Sequence, residues 1–204
     1  MTPARWHRLM EAWQVPPSDA VFSELVAAYS ESHRHYHSGK HLEDCLARLD
    51  ESVDLVEAPE VVEMALWFHD AIYKPTSSKN EEKSAEWAVR FLRSVGAEEP
   101  SQRRVGDLIL ATKHVDAALG GDSAVLVDID LSILGRDPEV YDVYEDAIRK
   151  EYRWVPGPIY RRKRREVLES FLQRLAIFST DRFRGRYEEP ARANIERALA
   201  ALSS

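Results

Sequence analysis

The sequence predicts an all-α helical bundle, on three observations. Apolar residues recur at three- and four-residue spacing along most of the 204-residue chain, the period of a helix with one face buried. Proline, glycine and short polar residues fall where such helices would begin and end. Only one short stretch alternates in the manner of a strand, and a lone strand would have nothing to pair with. Without an internal repeat, a low-complexity segment or a second domain boundary, a single domain over 1–204 is expected. Its core would run from about 18 to 180, with a C-terminal helix over 187–203 packing on it.

Thr2-Pro3 opens a first helix through Trp13, and Pro16-Pro17 ends its connection to a second, capped by Ser18 and running through Tyr29. A third spans about Gly39 to Val53 on a stripe of Leu42, Cys45, Leu46, Leu49 and Val53. A fourth starts near Pro59 and carries Val62, Ala65, Leu66, His69 and Ile72 or Tyr73 on one face, which puts His69 on the buried stripe. Asn80 reads as the cap of a fifth, with Glu81 and Glu82 complementing its dipole and Gly96 stopping it. A sixth, capped by Ser101, runs to Lys113-His114. The alternating stretch Val125-Leu126-Val127-Asp128-Ile129-Asp130-Leu131 is read as helix, with at least one aspartate facing apolar surroundings. Asp137-Pro138-Glu139 starts a helix through Tyr152. After Pro156-Gly157-Pro158 a long helix buries Val167, Leu168, Phe171, Leu172 and Leu175, and the last runs from Tyr187 to Leu202.

A net charge of −7 argues against non-specific binding to a polyphosphate backbone, so nucleic acid is not an expected partner. The run Arg161-Arg162-Lys163-Arg164-Arg165 fits a solvated helix face, with Glu166 and Glu169 placed to pair with it. Trp6, Trp13, Trp87 and Trp154 read as core or interface aromatics. The start, Met1-Thr2-Pro3-Ala4-Arg5-Trp6, lacks the apolar core of a signal peptide, and no apolar run approaches a membrane span. With the single cysteine, Cys45, these features give the expectation of a cytoplasmic protein, monomer or homodimer, with no membrane partner.

Chemistry concentrates at His69-Asp70, an ionisable pair closing the apolar segment Ala65-Leu66-Trp67-Phe68. Burying it is costly unless its charge is compensated, and a metal ion compensates both residues at once. Four of the seven histidines, His33, His35, His37 and His41, fall within nine residues. His41 leads the third helix, with Cys45 and Leu49 following at one-turn spacing, so its ring can face the core. His37 falls on the entry loop. His41, His69, Asp70 and either Asp128 or Asp130 together make a mixed nitrogen and oxygen set suited to divalent Mn, Mg, Fe, Zn, Co or Ni, with positions left for water.

The order His41, His69-Asp70 and a distant aspartate resembles the HD-domain superfamily of metal-dependent phosphohydrolases. Tyr36-His37-x-x-x-His41 is similar to the signature of the cyclic-nucleotide phosphodiesterases in that superfamily, and Asp130-Leu131-Ser132 to their last metal-binding segment. More closely, Arg34-x-Tyr36-His37, Trp67-Phe68-His69-Asp70-Ala71-Ile72-Tyr73, Asn80-Glu81-Glu82-x-Ser84-Ala85 and Asp128-x-Asp130-Leu131-x-Ile133-Leu134-Gly135 look like a bacterial HD group of about this length.

The resemblance implies an HD-like helical bundle that hydrolyses a phosphate ester of a small molecule, nucleotides among the candidates, with a metal-bound hydroxide. His41, His69, Asp70 and Asp130 would hold the ion, Asp130 being preferred to Asp128 on this likeness. His37 would be the general acid. Lys113 or His114 would bind phosphate or a second metal, and Glu81 or Glu82 would orient water. The chain is too short for the nucleotide pocket of the cyclic-nucleotide enzymes, so their substrate does not carry over. Two other classes stay open: an HD-fold di-iron oxygenase, which needs more histidine ligands than His114 supplies, and a non-catalytic module with a structural metal or phosphate.

Overall fold

The computed structural model describes residues 1–113 and 119–203, and among these every regular element is helical. The helices are α1 (Pro3–Ala12), α2 (Asp19–Tyr29), α3 (Gly39–Glu51), α4 (Pro59–Phe68), α5 (Asn80–Ser94), α6 (Glu99–Ala111), α7 (Gly121–Leu131), α8 (Pro138–Glu151), α9 (Gly157–Leu172) and α10 (Asp181–Ala201). Single 3-10 turns cover Val53–Leu55 and Ser132–Gly135. They form two compact units, Met1–Val127 and Asp128–Ser204.

In the first unit α4 is central, packing on α1, α3, α5 and α6. Its last two residues, Trp67 and Phe68, are fully buried. Trp67 meets Trp6 edge to face at 5.4 Å, and Phe68 stacks on Phe91 at 5.8 Å, so the residues before the His-Asp doublet anchor its helix in an aromatic core. Thr2 and Ser18 cap α1 and α2 through Arg5 N and Val21 N, as the sequence suggests.

Other helix ends differ from expectation. α4 stops at Phe68, and the chain turns at once, Ala71 N donating to Phe68 O, so His69 caps the helix rather than extending its stripe. Asn80 is the first residue of α5, not its cap. Its side chain is spent on the preceding loop, accepting from Lys74 N at 3.1 Å and donating to Lys74 O at 3.0 Å. Ser84 also serves that loop, accepting from Ile72 N at 3.0 Å. α6 begins at Glu99, ahead of Ser101, because Pro100 is well placed in a first turn, and it ends at Ala111.

In the second unit the 3-10 turn and α10 pack closely, and α8 and α9 both adjoin α10. Gly135 permits the approach: a β-carbon there would lie 2.5 Å from Tyr187 O. The alternating stretch is helical. Its Asp128, fully buried, accepts from Ser179 N, Thr180 N and Thr180 Oγ1, each at 2.7 Å. Thr180, which also accepts from Phe183 N, starts α10 at Asp181, six residues ahead of the expected Tyr187. α9 buries Leu168 and Phe171 but leaves Val167 exposed, and it ends before Leu175, which is exposed as well. Of the basic run, Lys163 pairs with Glu166 as expected, whereas Arg164 turns inward and grips Glu145 through Nε at 3.0 Å and Nη2 at 2.6 Å.

Candidate metal centre

Three ligand-type atoms converge at the end of α4. His41 Nε2 and His69 Nε2 are 3.2 Å apart. Asp70 Oδ2 is 3.2 Å from His69 Nε2 and 3.6 Å from His41 Nε2. Donors held at about 2.1 Å from one ion are separated by about 3.0 Å at right angles and about 3.4 Å at the tetrahedral angle, so the spacing fits a shared cation. Both imidazoles are buried, and the carboxylate is half-buried.

The chain sets this arrangement by local means. α3 presents His41 in its first turn, on the face that also buries Leu42, Cys45, Leu46 and Leu49. The turn after Phe68 brings His69 and Asp70 round to the same point. His69 Nδ1 lies 2.7 Å from Leu66 O, which can only accept, so Nδ1 carries the proton and the Nε2 lone pair faces the other two groups. An imidazole oriented through its second nitrogen in this way is the usual outer support of a metal ligand. Burial alone would push the Asp70 carboxyl up, but when the rings are protonated the charges of His69, His37 and His41, with the Nε2–H that a protonated His69 donates, hold it well below the ordinary carboxylate range.

Cys45 stands beside these atoms, its Sγ within 4.8 Å of a ligand nitrogen of both His41 and His69. Its Sγ is 3.7 Å from His41 Nε2 and 3.8 Å from Nδ1. Nearly equidistant from two nitrogens of one ring, the sulfur lies beside that ring and not ahead of the Nε2 lone pair, where an ion bound by His41 would sit. Cys45 packs the imidazole.

The structure places the other expected residues as follows. His37 is half-buried on the loop before α3, stacked on Tyr73 at 4.1 Å and edge-on to His41 at 6.2 Å between ring centroids. Asp130 is half-buried near the end of α7, where its charge adds to burial in pushing the Tyr144 phenol up. Asp128 is committed to the start of α10, and burial raises its pKa against the three donors it accepts. Lys113 pairs with Glu82, while Glu81 is half-buried in the first turn of α5. His114 lies outside the described residues.

Sequence reasoning missed the part played by Arg34. Its side chain is 0 % exposed. It donates to His37 O at 3.0 Å, Asp70 O at 2.6 Å and Ala71 O at 3.0 Å, and it pairs with Glu31 at 2.9 Å. Its guanidinium also lies against the rings of Tyr29 and Tyr73. The loop carrying His37 and the turn carrying Asp70 are thus tied to one cation. The signal was the presence of Arg34 in the same short motif as His37.

The described residues form a helical structure in which His41, Cys45 and His69, all buried, bring ligand atoms within 4.8 Å of one another, a group that can hold a metal ion, with the Asp70 carboxylate beside the two imidazoles. No protein-family model, curated protein or solved structure matches the chain.

Proposed function

We propose that the protein is a metal-dependent phosphohydrolase acting on a small phosphorylated molecule, nucleotides among the candidates. The observation that carries the reading is the convergence of His41 Nε2, His69 Nε2 and Asp70 Oδ2 at ligand spacing, with His69 fixed through Leu66 O. A divalent ion held there would acidify a bound water and polarise a phosphoryl oxygen. His41, His69 and Asp70 hold that ion, and Asp130, matched to the last metal-binding segment of the superfamily, supplies a further carboxylate. His37, held by its Tyr73 stack and by the Arg34 bond to its carbonyl, protonates the departing oxygen through a ring N–H. The superfamily resemblance, carried by four ordered motifs, supports phosphate esters as the substrate class.

The reading is tested by phosphate release from a panel of phosphomonoesters and nucleotides, using protein supplied in turn with Mn, Zn, Fe, Co, Ni and Mg. Wild type should release phosphate only with metal. His37→Ala should keep its metal and lose about 10²–10⁴ in rate. Metal-loaded wild type that releases phosphate from no member of the panel would overturn the proposal.

A further inference from the structure

The turn joining α8 to α9 has properties unlike the rest of the chain and takes no part in the metal centre. Residues 149–165 contain eight cations and one anion, Glu151, a local charge of +7, while the remainder of the chain carries −14. Two large apolar side chains stand out in solvent within this stretch: Trp154 is 58 % exposed and Ile159 is 48 % exposed.

The turn is braced from inside. Arg149 donates to Tyr152 O at 2.6 Å and to Val155 O at 3.3 Å, and its guanidinium lies over the Tyr160 ring at 4.6 Å. Pro156 and Pro158 restrict the backbone between Trp154 and Ile159. Exposed cations flank the apolar pair on both sides in sequence, Lys150 and Arg153 before it, Arg161 and Arg162 after it. Among the described residues Lys150, Arg153 and Arg161 form no ion pair, unlike Lys163 and Arg165 further along α9.

We propose that this turn is a docking surface for an anionic phospholipid bilayer. A preformed turn lets Trp154 and Ile159 enter the headgroup layer at little cost in order, and the flanking cations then meet lipid phosphates. A lipid surface suits the pair better than a nucleic-acid strand, because Ile159 has no flat face on which a base can stack. Attachment is peripheral: among the described residues no helix is long and apolar enough to cross a membrane.

The test is co-sedimentation of the full chain with phosphatidylcholine vesicles with and without phosphatidylglycerol. The exposed positions allow substitution without disturbing the fold, which circular dichroism verifies. Wild type should sediment with the anionic vesicles only, and less at high salt. Trp154→Ala, and separately the pair Arg153→Glu with Arg161→Glu, should each weaken binding by about tenfold or more. No binding to anionic vesicles, equal binding to both kinds, or binding unaffected by these substitutions would overturn the proposal. So would binding confined to a single-stranded RNA oligonucleotide, which would make the turn a nucleic-acid surface.

Discussion

The guanidinium of Arg34 donates to the main-chain carbonyl of Asp70 at 2.6 Å, across 36 residues of sequence. The same group holds the carbonyls of His37 and Ala71, so one buried cation fixes both the loop that carries His37 and the turn that carries Asp70. Arg34→Ala should cost about 2–4 kcal/mol in urea unfolding, because it strands buried carbonyls, and should weaken metal binding as well. Arg34→Lys should recover part of both, since an ammonium cannot span three carbonyls in a plane.

Asp128 and Asp130 should separate cleanly. Asp128→Ala leaves Ser179 N, Thr180 N and Thr180 Oγ1 without their acceptor, and should cost about 2–4 kcal/mol with metal affinity retained in the folded fraction. Asp130→Ala should reduce metal affinity about tenfold or more in the folded protein. Denaturant unfolding and metal titration of the two variants, side by side, check both.

Much of this fold is legible because its signals are local. Thr2-Pro3, Ser18 and Asp137-Pro138 each mark a helix start within a few residues, and the structure uses all three. His41 and His69 are legible as buried because each sits among apolar residues. What was not legible depends on partners distant in sequence. Asp128 reads as a candidate ligand until Ser179 and Thr180 arrive from 51 and 52 residues away. Arg34 stands in the sequence only as part of a short motif with His37, because the carbonyls it holds at Asp70 and Ala71 come from 36 and 37 residues away. α10 begins at Asp181 rather than Tyr187 because Thr180 caps it, a role that Thr180 shares with its bond to the distant Asp128.

Cys45 gives a direct check on the ligand geometry. With its sulfur beside the His41 ring, Cys45→Ser should retain metal affinity within about twofold, whereas His41→Ala should lose about a hundredfold or more. Competition titration with a chromogenic chelator measures both. A large loss in Cys45→Ser would move the sulfur into the ligand set.

Gly135 is a steric prediction. A β-carbon at 2.5 Å from Tyr187 O must push the 3-10 turn off α10, and backbone cannot yield as a flexible side chain can. Gly135→Ala should therefore cost about 1–3 kcal/mol, read as a lower denaturation midpoint.

The most direct test of the central claim is the metal content of purified protein, wild type beside Asp70→Ala, by elemental analysis after incubation with Mn or Zn and removal of loosely bound ions. The convergence of His41, His69 and Asp70 predicts about one or more equivalents in wild type and a substantial loss in the folded variant. Wild-type protein with no retained metal, or equal retention in Asp70→Ala, would contradict it.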